Sequence, residues 1–109
     1  MGLDTYILDQ CGNQIWHFRK NPDFHNWIAS KGGYNSLNFN GQTIEISCQD
    51  IQELEKILLN KSLPKCEKVG PFFGETEEFD YELMSEFIKV SLKYFSNNPQ
   101  KELNIFSSF

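Results

Sequence analysis

Thr43-Ile44-Glu45-Ile46-Ser47-Cys48-Gln49-Asp50-Ile51-Gln52-Glu53-Leu54-Glu55-Lys56-Ile57-Leu58 sets an extended run directly against a capped helix. Ser47-Cys48-Gln49-Asp50 has the form of a capping box, with Asp50 where Glu is more usual. Ile51, Leu54, Ile57 and Leu58 then fall on one stripe at helical spacing. Glu53, Glu55 and Lys56 occupy the outer face, as a solvated helix surface requires. Upstream, Asn40-Gly41 separates Leu37-Asn38-Phe39 from Thr43-Ile44-Glu45-Ile46. Asn-Gly favours the positive φ angles of a tight turn, so a β-hairpin is predicted there.

Toward the N-terminus, Thr5 to Leu8 is β-prone and is followed by the polar turn cluster Asp9-Gln10-Cys11-Gly12-Asn13, after which Gln14 to Phe18 resumes an apolar-rich extended pattern. Asn21-Pro22-Asp23 is a helix start: Asn caps free amides, Pro has the φ of a first turn, and Asp suits the positive end of the dipole. Phe24, Trp27 and Ile28 share one face of that helix, and Gly32-Gly33 closes it with a left-handed cap. Toward the C-terminus, residues 60–70 read as a loop leading into Pro71-Phe72-Phe73 and a turn at Gly74. The acidic run Glu75 to Glu78 opens a long helix carrying Leu83, Met84, Phe87, Ile88, Tyr94 and Phe95, and Asn97-Asn98-Pro99 stops it. Leu103 to Phe109 is then a last strand or a segment packed across the sheet. This order predicts an α+β domain, a small mostly antiparallel sheet with about three helices packed on one face.

A chain of 109 residues suits one domain spanning 1–109, and an aromatic content of 15% gives each core position a large apolar area to bury. The formal charge of −5 argues against a nucleic-acid partner, because phosphate backbones are bound by clustered lysine and arginine. Met1 to Asp9 lacks the basic start and apolar stretch of a secretory signal, and no run is long enough to span a bilayer, so a cytoplasmic protein with no membrane partner is expected. Gly2 does not make a myristoylation motif, since Tyr6 stands where Ser or Thr is required. Cys11, Cys48 and Cys66 are odd in number and widely spaced, which indicates neither a disulfide framework nor a zinc site. No metal and no cofactor is expected.

Chemistry-bearing residues concentrate in Trp16-His17-Phe18-Arg19-Lys20-Asn21-Pro22-Asp23-Phe24-His25-Asn26-Trp27, which holds both histidines and both tryptophans beside adjacent cations. Arg19 has the planar fork that grips phosphate or carboxylate, Lys20 adds charge, His25 is a hydrogen-bond donor, and an aromatic ring such as Trp27 can stack on a base. The same residues also fit a plain structural role, with Phe24 and Trp27 in the core and Arg19 and Lys20 as surface charges. Gly70-Pro71-Phe72-Phe73-Gly74 is a second candidate, since flanking glycines allow close approach of a ligand to the backbone. It lacks the Gly-Lys-Ser/Thr of a phosphate loop. Glu75, Glu77, Glu78 and Asp80 lack the spacing of a calcium loop.

These motifs occur in order in a group of small bacteriophage and bacterial proteins that the chain resembles. Members begin Met-Gly-Leu-Asp-Met-Tyr-Leu, matched by Met1-Gly2-Leu3-Asp4-Thr5-Tyr6-Ile7. Their Trp-Arg-Lys-Ala-Asn-x-Ile-His-x-Trp-Phe segment aligns without a gap on Phe18 to Ile28, and their Gly-Phe-Phe-Phe-Gly motif on Gly70 to Gly74. A Tyr-x-Ser-Ser-Trp-like tail is similar to Phe106-Ser107-Ser108-Phe109. The chain departs from the pattern at Phe18, Pro22, Pro71 and Phe109, and the asparagine replaced by Pro22 removes any polar contact made there. Arg19, Lys20, His25, Trp27, Phe73 and Gly74 match, and they form the expected ligand-binding set. The resemblance implies a viral setting and supplies no mechanism. The expected role is non-catalytic: binding and sequestering a host factor or defence signal, such as an anionic nucleotide-like small molecule. Two rivals are an acidic protein inhibitor docked on a host enzyme and a small hydrolase or phosphodiesterase using His25 and Arg19. A homodimer is one arrangement that would give so small a domain a deep pocket.

Overall fold

The computed structural model describes residues 3–34, 39, 41–63, 78–98 and 100–108. The elements are β1 (Asp4–Leu8), β2 (Gln14–Arg19), α1 (Pro22–Lys31), β3 (Thr43–Ile46), α2 (Cys48–Leu59), α3 (Glu78–Asn97) and β4 (Leu103–Ser108). The strands form one sheet in the order β2-β1-β4-β3, with every neighbouring pair antiparallel. The α+β architecture with helices on one face is the predicted one.

Local chemistry explains most boundaries. In the β1–β2 turn, Asp9 Oδ1 accepts from the main-chain amides of Cys11 and Asn13, each at 2.9 Å, while Gly12 takes a φ of +85°. An aspartate bonded to the amides two and four residues on makes the turn its own side chain stabilises. Asn21 caps α1 by accepting from Phe24 N at 3.4 Å, with Pro22 in the first turn. At the other end Gly32 has an ordinary φ of −90°, and the left-handed residue is Gly33 at +80°. The Ser47–Asp50 capping box is present in both directions and starts α2.

The predicted hairpin before Ser47 is described only in part. Residues 37, 38 and 40 lie outside the described residues, and β3 bonds to β4, with Ile44 opposite Ile105. The expected Pro71-Phe72-Phe73 segment likewise lies outside the described residues. Leu103–Ser108 becomes a central strand between β1 and β3.

Strand alternation divides the sheet into two faces. Leu3, Thr5, Ile7, Phe18, Ile44, Ile46, Leu103, Ile105 and Ser107 point inward and are buried. One core cluster joins side chains from all four strands and all three helices. At its centre Phe18 of β2, Phe24 of α1 and Phe87 of α3 meet with ring centroids 4.5 to 5.4 Å apart. Such pairs contribute roughly 0.5–1.5 kcal/mol each beyond area burial, and they fix α1 and α3 against the β2 side of the sheet. No helix among the described residues is long and apolar enough to cross a membrane.

Candidate functional site

The opposite face of the sheet carries Asp4, Tyr6 and Leu8 of β1, His17 and Arg19 of β2, Asn104 and Phe106 of β4, and Thr43 and Glu45 of β3. Their positions follow from the register: Tyr6 lies opposite both His17 and Phe106, Asp4 opposite Arg19, and Thr43 opposite Phe106. Lys20 N donates to Leu3 O at 2.8 Å, which sets the phase of the β1–β2 ladder. By antiparallel alternation Tyr6 and His17 are then a non-hydrogen-bonded pair, the kind whose side chains approach most closely.

Three rings use that closeness. His17 stacks on Tyr6 with centroids 4.8 Å apart and planes 16° apart, and Tyr6 stacks on Phe106 at 5.0 Å and 25°. The spacing matches the separation of adjacent strands, so the near-parallel rings form a row across β2, β1 and β4. His17 ends the row on an edge strand and is exposed. Its Nε2 lies 2.9 Å from Asp4 Oδ1. A carboxylate only accepts, so Nε2 carries the proton and Nδ1 is left for another partner.

This bond decides what Arg19 does. Arg19 is paired in register with Asp4, yet the Asp4 carboxylate goes diagonally to His17, and the Arg19 guanidinium has no ion pair among the described residues. Arg19 is exposed, and Lys20 follows it in a left-handed conformation, φ +53°. Alternate residues of a strand share a face about 6.8 Å apart, so a cation with no ion pair among the described residues shares the face of the exposed ring.

The expected ligand set is therefore divided. Arg19 and Lys20 are exposed at the end of β2. His25 has no accessible surface: its Nδ1 lies 2.8 Å from Ser107 Oγ, and its ring stacks on Phe39 at 5.3 Å. Trp27 is 5% exposed and is covered by Lys31, whose Nζ sits 5.4 Å from the ring centroid. In this arrangement a ligand touching Arg19 from solvent does not reach the His25 imidazole. Phe73 and Gly74 lie outside the described residues. His17, Tyr6, Phe106 and Asp4 were absent from the expected set, although Tyr6 and Phe106 occupy the outward parity of extended runs. The missing information was which strands are neighbours.

Charge differs sharply across the face. At the corner diagonal to Arg19, the Glu102 carboxyl is held above the usual carboxylate range, chiefly by its hydrogen bond with Glu45 and further by partial desolvation and the Glu45 charge. Away from the sheet face, α2 and α3 border a cavity of about 390 Å³ lined by Leu58, Lys61, Leu63, Glu78, Tyr81 and Ser85. Tyr81 donates to the buried carboxylate of Asp23 at 3.1 Å. Burial first, and then the Asp23 charge, hold that phenol above its ordinary range. Among the described residues no group of three or more His, Cys, Asp or Glu side chains converges as metal ligands. Comparison with protein families, curated proteins and solved structures finds no match for the chain.

Proposed function

We propose that the chain is a non-catalytic binding protein that holds a planar, negatively charged small molecule of nucleotide type at the His17 end of the aromatic row. In the setting that the family resemblance implies, the ligand is a host small molecule or defence signal, and holding it removes it from use. The observation that carries the reading is the exposed His17 ring, backed by Tyr6 and Phe106 and placed two residues from an Arg19 that has no ion pair among the described residues. Stacking of a base on an aromatic ring contributes roughly 1–3 kcal/mol and accepts any base. Arg19 offers a planar fork to phosphate, and Lys20 adds a second cation. An open face with these groups grips a ligand without excluding water from it, which suits retention better than turnover.

Isothermal titration of the purified chain with adenosine 5′-monophosphate and with adenosine tests this. The nucleotide is expected to bind more tightly than the nucleoside, and Arg19→Ala to weaken nucleotide binding about tenfold, or ~1.4 kcal/mol. Equal affinity of the folded Arg19→Ala variant, or no binding of either compound, removes the reading.

A further inference from the structure

We infer that anion binding on this face is coupled to the uptake of one proton by His17, so that the protein takes its ligand more tightly as pH falls through the imidazole range. The inference rests on the proposed site and concerns how that site is regulated.

Among the described residues the charges nearest His17 in the register lie on β1 and β2. On β1, Asp4 accepts the Nε2 hydrogen at 2.9 Å, and the neutral Tyr6 ring covers one face of the imidazole. On β2 itself, Arg19 shares the face two residues along, with Lys20 next in the chain. Since β2 is the sheet edge, no further described strand faces the ring. Asp4 is the anionic partner of the ring, and Arg19 is a cation on the same face. An anion beside Arg19 and His17 neutralises that cation and adds its own attraction. The proton comes from solvent and bonds to Nδ1, the ring nitrogen that Asp4 leaves open, and the resulting Nδ1–H is a new donor toward the ligand. By linkage, a ligand that favours the protonated form must bind that form more tightly. Histidine is the side chain whose ordinary titration makes this coupling visible near neutral pH.

The test uses adenosine 3′,5′-cyclic monophosphate, whose phosphodiester keeps one negative charge throughout, with adenosine as the neutral counterpart. Titration calorimetry on the full chain runs from about pH 5.5 to about pH 8.5 in buffers of different ionisation enthalpy. The expected result is net uptake approaching one proton per ligand, with the dissociation constant rising by up to about tenfold per pH unit through the imidazole range. His17→Phe keeps a flat ring over Tyr6 without a titratable nitrogen, so its residual binding should be independent of pH. A direct readout is the NMR titration of the His17 ring, whose midpoint should move up when the cyclic nucleotide is present. Binding that is tight but flat with pH in the wild-type chain overturns the proton coupling and leaves the ligand platform standing. No binding at any pH overturns both.

Discussion

His25 Nδ1 and Ser107 Oγ lie 2.8 Å apart although 82 residues separate them in the chain. Ser107 Oγ also lies 2.9 Å from Thr5 Oγ1, so one hydroxyl joins α1, β4 and β1 inside the core. Thr5 and Ser107 directly precede and follow the outward pair Tyr6 and Phe106 on their strands, and the buried link therefore supports the aromatic row from beneath. All three side chains are at most 1% exposed, which makes each lost partner costly. Ser107→Ala strips a partner from both His25 and Thr5, and a loss of about 2 kcal/mol is expected in urea denaturation. Thr5→Ala should cost less, because His25 keeps its serine. A Ser107→Ala loss no larger than that of an exposed Ser96→Ala control would show that the link does not stabilise the fold.

Gly32 is held to glycine by packing rather than by its backbone angles. Its φ of −90° suits any residue, but a Cβ there would sit 2.5 Å from Ile44 Cδ1 and 2.6 Å from Ile44 Cγ1. Ile44 is a buried strand residue, so it cannot simply swing into solvent. Gly32→Ala is expected to destabilise by roughly 1–3 kcal/mol, the usual cost of overpacking. Ile44→Val removes one of the two clashing atoms, so in the double variant part of that loss should disappear. Strict additivity in denaturation experiments would place the cost elsewhere.

The local elements were legible because their causes are local. Ser47 and Asp50 announce α2 through a reciprocal cap, and Asn21-Pro22 announces α1 through a cap and a preset φ. What joins residues far apart in the chain was not legible. Nothing near Leu103 tells it to pair with Ile46 on one side while Asn104 meets Leu8 on the other. For the same reason Tyr6 and Phe106 could not be seen as neighbours of His17. His25 shows the complementary difficulty: its nearness to Arg19 in sequence suggested a shared site, but α1 turns the imidazole inward while the strand leaves Arg19 outside. Adjacent polar residues share a surface only when the element carrying each points the same way.

Glu102 gives the fold a pH dependence of known sign. Its hydrogen bond with Glu45 raises the carboxyl above the ordinary range, so the native state binds more protons than the unfolded chain over the interval between the two values. The contribution of the pair is therefore fully present below the ordinary glutamate range and is lost as pH rises through the raised value. Glu102→Gln keeps a hydrogen-bonding partner for Glu45 and removes the repulsion. Its melting temperature should exceed that of the wild type at about pH 7 and converge on it near pH 4. A difference that is constant with pH would mean that the two carboxyls do not interact.

The two ends of the aromatic row should behave differently on truncation. Phe106 touches the row only through Tyr6, whereas Tyr6 touches both His17 and Phe106. Phe106→Ala removes one stacked pair and part of a half-buried ring, an expected stability loss of about 1 kcal/mol. A ligand on the far side of His17 does not contact Phe106, so nucleotide affinity should change by less than about threefold. Tyr6→Ala removes both stacked contacts and leaves the imidazole held only by Asp4. With the ring no longer fixed across the strand edge, the ligand must bear the cost of ordering it, and affinity should fall about tenfold. Calorimetric titration of both variants, each first checked for native circular dichroism, separates the cases. An equal loss in the two would move the binding position from the His17 end to the middle of the row.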